Sequence, residues 1–242
     1  MAKTAKYFDM EKHLREEHGG SGQWLREFIL GWQDGLVNVL GIILGVAAAT
    51  NDARIVVIAG LAATFAESVS MAAVAYTSTK AQRDYYFSQL EKEKQWIRDR
   101  PADEKAEVYE VYYRKGFRGK LLDQIVRKIT SNKKTWLDFM MMEELGLEKV
   151  AENKPLRDGV LVGVSAVVGS LIPLVPFFFL AVQPAMMGAV GISLASLFAV
   201  GAYKAKKTVG SPFREGVELM VVGGLAAAVG YGVGAVLGVV LP

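Results

Sequence analysis

Residues 28–49 read FILGWQDGLVNVLGIILGVAAA. An apolar run of about 20 residues is long enough to cross the hydrocarbon core of a bilayer as a helix. Asp34 interrupts this run, and a carboxylate at such a depth is costly unless function requires it. The stretch therefore predicts a membrane-spanning helix with a functional acid. It raises the question of which cation that acid binds.

Four further apolar runs of similar length follow along the chain. They cover residues 55–77, 159–182, 184–203 and 216–241. Hydrophobic residues make up 52% of the sequence and charged residues 22%, so the charges must lie outside the apolar runs. We predict an all-α polytopic membrane protein with five transmembrane helices.

The basic residues indicate how these helices are oriented. If the chain crosses the bilayer five times, every one of its 28 Lys and Arg residues except Arg54 lies on the side of the N-terminus. Positively charged loops stay in the cytoplasm, so residues 1–27 are predicted to form a cytoplasmic N-terminal segment. The net charge of +3 then reflects membrane topology, and nucleic acid is not expected as a partner.

A charged region separates the second apolar run from the third. Residues 79–157 follow helical patterns but contain no apolar span. We predict that they form a helical cytoplasmic domain, inserted between transmembrane helices 1 and 2 in residues 28–78 and helices 3 to 5 in residues 158–242. The last helix of this domain is expected over residues 134–145. Its thin apolar stripe offers little core, so it is expected to pack on its copy in another subunit.

The first two spans place four ligand-type side chains at matched depths. Counting outward from the turn between them, at an equal rise per residue, brings Asp34 level with Met71. The same count brings Asn38 level with Glu67. Carboxylate, amide and thioether ligands together suit a borderline divalent ion such as Fe²⁺ better than Mg²⁺ or Ca²⁺. The alternatives are a hydrogen bond between helices for the two carboxylates and ordinary packing for the methionine.

A second group of ligand-type residues lies in the inserted region. Glu104, Glu107 and Glu110 repeat every three residues, and residues 140–144 read MMMEE. Such carboxylates and thioethers could collect divalent ions, although glutamates on a helix are also typical of a solvated face. A run of three methionines must expose at least one of them. The chain has no cysteine, so any metal is held by oxygen, nitrogen or thioether groups.

Several glycines recur at four-residue spacing in the first and last spans. They are Gly31 with Gly35, Gly41 with Gly45, and Gly230, Gly234 and Gly238. Such small-residue faces let helix backbones approach closely. Packing within one subunit and a seam between two subunits both remain open.

Six stretches of sequence carry a resemblance to a known family. They are GWQDGLVNVLGIILG, AESVSMAAVAYTS, PADEKAEVYEVYYRKGF, FMMMEELGL, SLIPLVPFF and VELMVVGGLAAAVGYGVG. In this order, and across nearly the whole chain, they resemble the vacuolar iron transporter family. The resemblance implies five membrane helices per subunit, a homodimer with the translocation path between its subunits, an inserted cytoplasmic metal-binding domain, and proton-coupled export of ferrous iron.

The resemblance also assigns metal ligands to positions of this sequence. They are Asp34 and Met71 in the membrane, and Glu93, Glu104, Glu107, Met140, Met141 and Glu144 in the inserted domain. Two positions depart from the family pattern. Trp96 stands where the family has a further glutamate. Ala75 also stands where many relatives have a glutamate, and Glu67 in the same span is a carboxylate that can take its place.

We therefore expect a proton-coupled transporter that exports Fe²⁺ from the cytoplasm to a lumen or to the outside. Zn²⁺, Co²⁺ and Mn²⁺ are further candidate substrates, and no permanently bound cofactor is expected. The expected partners are a second copy of the chain, the lipid bilayer, divalent metal ions and protons. The expected location is the cell membrane of a prokaryote or the vacuolar membrane of a eukaryote.

Two other functions use the same residues. A passive divalent-cation channel would share every one of them, and only a test for proton coupling separates it from the transporter. A membrane-anchored di-iron ferroxidase would normally need Glu-x-x-His pairs on facing helices. The only histidines are His13 and His18, and neither follows a glutamate by three residues, so an enzyme is not expected.

Overall fold

The computed structural model describes residues 21–240, and the secondary structure of this part of the chain is entirely helical. The α-helices are α1 Ser21–Thr50, α2 Ala53–Asp99, α3 Pro101–Arg114, α4 Gly119–Thr130, α5 Lys133–Phe139, α6 Lys154–Leu174, α7 Val182–Lys207 and α8 Pro212–Val240. A π-helical turn, Met140–Glu144, follows α5, and a 3-10 turn, Val175–Phe178, follows α6. The predicted all-α class is confirmed for these residues. His13 and His18 lie outside them.

Five helices are long and apolar enough to cross a membrane. They are α1, α2, α6 together with its 3-10 turn, α7 and α8. The 47 residues of α2 measure about 70 Å at 1.5 Å per residue, roughly twice the thickness of a hydrocarbon core. Only the first, apolar half of α2 therefore fits within a bilayer. The architecture is that of a membrane protein.

The chain divides into two compact units. One is formed by the residues before position 76 and after position 156, and it contains the apolar helices. The other is formed by residues 76–156 and contains the charged second half of α2 with α3, α4, α5 and the π-helical turn. The assignment of the first unit to the membrane and of the second to the cytoplasm stays a prediction.

A two-residue turn joins α1 to α2. Asn51 has a positive φ of 51°, and its N–H donates to the carbonyl of Ala47 at 3.0 Å, which closes the end of α1. Asp52 then caps α2, because its Oδ1 accepts the backbone N–H of Arg54 at 2.8 Å. So short a turn makes α1 and α2 antiparallel neighbours.

The third span ends at Pro173 and Pro176. The apolar run continues to residue 182, but α6 stops at Leu174 and a 3-10 turn follows. Pro176 has no N–H to donate to the preceding turn, and its ring disfavours the helical conformation of the residue before it. Apolarity alone therefore extends the span too far, whereas the two prolines mark its true end.

Glycines from both helices form the contact between α1 and α8. A Cβ atom added to Gly230 would lie 2.1 Å from the carbonyl oxygen of Gly41, and one added to Gly234 would lie 1.9 Å from that of Gly45. Only glycine permits such an approach, since the two backbones touch. At this crossing the glycine faces serve packing within one chain.

A second close contact joins α1 to α6. A Cβ atom at Gly31 would lie 2.2 Å from the carbonyl oxygen of Val162, and one at Gly35 would lie 2.4 Å from that of Ala166. Both contacts advance by one turn in the same direction, so α1 and α6 run parallel. The first half of α1 is thus held by α6 and the second half by α8.

We expect Gly234→Ala to lower the melting temperature of the detergent-purified protein. Its methyl group can enter only if two backbones separate, and such overpacking typically costs about 1–3 kcal/mol. Gly232 is the matched control, because it lies on the same helix with no atom within 4 Å of an added Cβ. Gly232→Ala should leave the melting temperature unchanged or raise it, since alanine favours helix. Equal losses from both variants would show that the crossing does not depend on this contact.

Candidate metal sites

Three polar side chains meet where α1 faces α2. The Asn38 Nδ2 donates a hydrogen bond to the Glu67 Oε1 at 2.5 Å, so these two residues lie at the same level, as the equal rise per residue predicts. The Asp34 carboxyl also lies near the Glu67 carboxyl, close enough for their charges to interact. The other Glu67 oxygen, Oε2, is buried and receives no hydrogen bond from any described residue.

Positive charge would stabilise this pair of acids. Asp34 and Glu67 repel each other when both are charged. A bound cation would remove that repulsion, and the Glu67 Oε2, which receives no hydrogen bond from any described residue, offers it a ligand atom.

The polar cluster of α1 and α2 lies at the surface of its own chain. Asn38 is exposed, and Asp34, Glu67 and Met71 are half-buried. Met71 follows Glu67 by one helical turn and shares its face of α2. Its thioether is therefore one turn from the Glu67 carboxylate along the helix. The equal depth of Met71 and Asp34 stays a prediction.

The second unit also contains two neighbouring carboxyl groups. Glu93 on α2 and Glu104 on α3 are 1% and 2% exposed, and their carboxyl groups lie close enough for their charges to interact. One oxygen of each, Oε2, receives no hydrogen bond from any described residue. The carboxylates of Glu107 and Glu144 lie close enough to repel Glu93. Four of the predicted glutamate ligands are thus neighbours.

Burial and mutual repulsion make two of these glutamates weaker acids. Burial, followed by the Glu107 and Glu93 carboxylates, raises the pKa of Glu104 to about 7. Burial of its carboxyl, followed by Glu107 and Glu104, also raises the pKa of Glu144 to about 7, although that residue as a whole is exposed. A divalent cation would favour the charged forms again, so metal and protons compete for this cluster.

The predicted helix over residues 134–145 has the expected extent, but its last turn is π-helical. There α5 covers Lys133–Phe139, and Met140–Glu144 form the π-helical turn. A π-helical turn inserts an extra residue per turn and so changes which side chains face the same way. The spacing between the methionines and Glu144 that an α-helix would give is therefore not the spacing observed.

The three methionines have different environments. Met140 and Met141 are 0% and 2% exposed, whereas Met142 is 65% exposed, which agrees with the expectation that such a run exposes at least one member. Met140 belongs to the hydrophobic core of this unit together with Trp136 and Phe139. Packing therefore accounts for its burial as fully as a role in ligation would.

None of these groups is yet arranged as a closed metal site. Among residues 21–240, no three Asp, Glu, His or Cys side chains converge closely enough to hold an ion. Glu107 and Glu144 line a cleft of about 540 Å³, which gives their side chains room to rotate toward an ion. Glu110, also in this cleft, pairs with Arg114 at 2.8 Å, so the solvated-face explanation holds for that glutamate.

Sequence reasoning missed two buried acids. Glu27 is 9% exposed and Asp158 is 1% exposed. Glu27 lies one turn before Gly31, and Asp158 lies one turn before Val162, so both extend the α1–α6 contact described above. Only the glycine spacing, combined with knowledge that α1 packs on α6, could have identified them.

Comparison with known proteins gives a consistent result. Residues 25–235 match the model of the VIT family. The chain is 34% identical over 221 residues to vacuolar iron transporter 1 of Oryza sativa subsp. japonica, covering 91% of this chain and 88% of that protein. It is 31% identical over 220 residues to vacuolar iron transporter 1 of Arabidopsis thaliana, covering 90% and 88%. It is also 31% identical over 241 residues to the vacuolar iron transporter of Plasmodium falciparum, covering 96% and 88%.

The raised pKa of Glu104 predicts how stability depends on pH. The folded protein holds this proton up to about pH 7, whereas the unfolded chain releases it near the usual value of 4.5. The folded state therefore binds more protons in this window, and the free energy of unfolding should fall as pH rises through it. Thermal unfolding of metal-free protein between about pH 5 and 8 measures this slope.

Glu104→Gln should reduce that slope, because the amide does not titrate, while the raised pKa of Glu144 leaves part of it. Glu110→Gln on the same helix is the matched control, since Glu110 is exposed and ion-paired, and it should leave the slope as in the parent protein. If Glu104→Gln and the parent protein show the same slope, Glu104 does not hold the extra proton.

Proposed function

The chain belongs to the VIT family, and from this premise we propose that it is a proton-coupled transporter that exports ferrous iron from the cytoplasm. Relatives with at least 30% identity over most of the chain are named as vacuolar iron transporters, which supports transport of iron across a membrane. They are named as transporters, so the chain is not an enzyme, and the di-iron ferroxidase is set aside.

The proximity of Asp34 to Glu67 is the observation that supports proton coupling. The repulsion between these two acids can be removed by a proton or by a cation, and one Glu67 oxygen has no donor among the described residues. Protonation from the far side of the membrane would release a bound Fe²⁺, and loss of the proton would restore the site. Asn38 orients Glu67 through its amide hydrogen bond.

The glutamates of residues 76–156 would gather the ion before transport. Glu104 and Glu144, each with a pKa raised to about 7, change their charge near neutral pH. They would bind Fe²⁺ reversibly, without forming the membrane path. Met140 and Met141 would add thioether ligands, which favour Fe²⁺ and its neighbours over Mg²⁺ and Ca²⁺.

A homodimer would complete the membrane site. Asn38 is exposed and Asp34 is half-buried in the isolated chain, and polar groups facing hydrocarbon are costly. A second copy that covers this face would remove that cost and place two Asp34–Glu67 pairs around one path. The distribution of Lys and Arg supports a cytoplasmic N-terminus and a cytoplasmic inserted domain, in the cell membrane of a prokaryote or the vacuolar membrane of a eukaryote.

We expect Asp34→Ala and Asp34→Asn to abolish Fe²⁺ uptake into proteoliposomes that carry an imposed pH gradient. Neither replacement supplies negative charge or titrates, and both suit an apolar environment, so the proteins should remain folded. Glu218→Gln is the matched control, because it removes an exposed carboxylate from another apolar helix, and it should transport normally.

The same assay separates the transporter from the passive channel. Uptake by the parent protein should increase when the lumen is acidic and should be accompanied by proton movement out of it. An iron uptake rate that is the same with and without the pH gradient would identify a channel. Near-normal uptake by purified Asp34→Ala would remove Asp34 from the site.

Met71→Leu should change metal selectivity rather than stability. Leucine preserves volume and hydrophobicity, at a cost typically below about 1.5 kcal/mol, but it removes the soft donor near the carboxylates. Transport of Fe²⁺, Co²⁺ and Zn²⁺ should fall most, and discrimination against the harder Mn²⁺ should weaken. Competition uptake measures the ranking. Met187→Leu is the control, because Met187 lies on α7 and is 79% exposed. If both variants keep the parent protein's ranking of transported metals, Met71 is a packing residue.

A further inference from the structure

One ion pair joins two separate elements of the unit of residues 76–156. Lys115, directly after α3, donates a hydrogen bond to the Glu143 Oε2 in the π-helical turn. The other ion pairs described within residues 76–156 lie between residues at most four positions apart. Among them, only the pair of Lys115 and Glu143 therefore links the π-helical turn to the end of α3.

The two elements that it links carry predicted metal ligands. Glu104 and Glu107 are on α3, whereas Met141 and Glu144 are in the π-helical turn. The carboxylates of Glu104 and Glu107 lie close enough to Glu144 for their charges to interact. The position of the turn relative to α3 therefore decides whether these groups can reach one ion.

The two ends of the π-helical turn are held differently. Met140, its first residue, belongs to the hydrophobic core together with Val108 of α3. Its last three residues, Met142–Glu144, are exposed. Backbone hydrogen bonds close the turn upon itself, since the N–H of Leu145 donates to the carbonyl of Met140 at 3.0 Å. Such bonds fix the shape of the turn, and the position of its exposed end depends on side chains.

An aromatic contact lies directly beside the ion pair. The Tyr112 ring stacks on that of Phe139, the residue before the π-helical turn, with 5.6 Å between the centroids and 18° between the planes. The Lys115 Nζ lies over the Tyr112 ring, 5.5 Å from its centroid, where a cation is attracted to the aromatic face. Lys115 is thus held by a ring of α3 while it reaches across to Glu143.

The ion pair also borders the cleft between the predicted ligands. Lys115 and Glu143 line this cleft of about 540 Å³ together with Glu107 and Glu144. Glu143 directly precedes Glu144, so a displacement of one moves the backbone of the other. The partner of Lys115 is therefore coupled to a predicted ligand through a single peptide bond.

We infer that Lys115 is a positioning residue of the metal cluster, because its ion pair with Glu143 holds the exposed end of the π-helical turn against α3. Glu144 and Glu107 are thereby kept on opposite sides of one cleft. The inference rests on the proposed function, since it assigns Lys115 to the site that would gather Fe²⁺. The ammonium group repels a divalent ion. The charge of Lys115 therefore lowers metal affinity, whereas its hold on Glu143 raises it.

Calorimetric titration of Co²⁺ into the full-length protein in detergent separates these two effects. Every protein in the series also carries Asp34→Asn, so that the membrane carboxylate of that residue does not contribute. Lys115→Gln should weaken Co²⁺ binding by about twofold to fivefold, a modest loss because exposed ion pairs hold their partners weakly. Removal of a positive charge would by itself tighten binding. The melting temperature should stay near that of the parent protein, since an exposed pair contributes little to stability.

Arg114→Gln is the matched control, because it removes the same charge from the same cleft. Arg114 pairs at 2.8 Å with Glu110 of its own helix, so this pair does not attach the turn to α3. Arg114→Gln should leave Co²⁺ affinity unchanged or raise it. The exchange Lys115→Glu/Glu143→Lys keeps the net charge and reverses the pair. It should return the affinity to within about twofold of the parent value, as a restored pairwise interaction does.

Two results would overturn the positioning role. They are unchanged or tighter Co²⁺ binding by Lys115→Gln, and an exchange variant that binds as weakly as Lys115→Gln. Glu104→Gln/Glu107→Gln tests the cluster itself. If this variant binds Co²⁺ as tightly as the parent protein, the proposed metal cluster is wrong. If it binds weakly while Lys115→Gln binds like the parent protein, the cluster stands and only the role of Lys115 fails.

Discussion

Repulsion between neighbouring carboxyl groups is the constraint on which both candidate sites depend. Asp34 lies near Glu67 in one unit, and Glu93 lies near Glu104 in the other. In each pair a buried oxygen lacks a hydrogen-bond donor among the described residues. Positive charge from a proton or a cation stabilises such a pair. Under the proposed function, protons and Fe²⁺ would supply that charge in turn.

Rigid backbone contacts keep the Asp34–Glu67 pair together despite its repulsion. The short turn at Asn51 and Asp52 fixes α2 against α1, while the glycine contacts with α6 and α8 fix α1 from two other sides. Backbone atoms in direct contact cannot slide apart without losing close packing along the whole crossing. The repulsion between the carboxylates is then relieved by binding a cation or a proton, because the helices themselves cannot separate.

Much of this arrangement follows from local features of the sequence. Apolar runs identify the five long helices, and an equal rise per residue pairs Asn38 with Glu67, because both rules depend only on position along a helix. The end of α6 also follows from the sequence, because Pro173 and Pro176 interrupt the apolar run. The π-helical turn and the proximity of Glu93 to Glu104 do not follow in this way, because they depend on how α3 and the turn pack against α2. Such contacts between distant parts of the chain leave no periodic signal in the sequence.

The two carboxyl pairs differ in the donor that each has available, and this difference bears on their separate tasks. Glu67 accepts an amide hydrogen bond from Asn38, which stabilises its carboxylate form. The Oε2 atoms of Glu93 and Glu104 receive no hydrogen bond from any described residue, and the pKa of Glu104 is raised to about 7, so small changes near neutral pH alter the charge of that pair. Under the proposed function, the cluster of residues 76–156 would therefore load and unload readily in the cytoplasm.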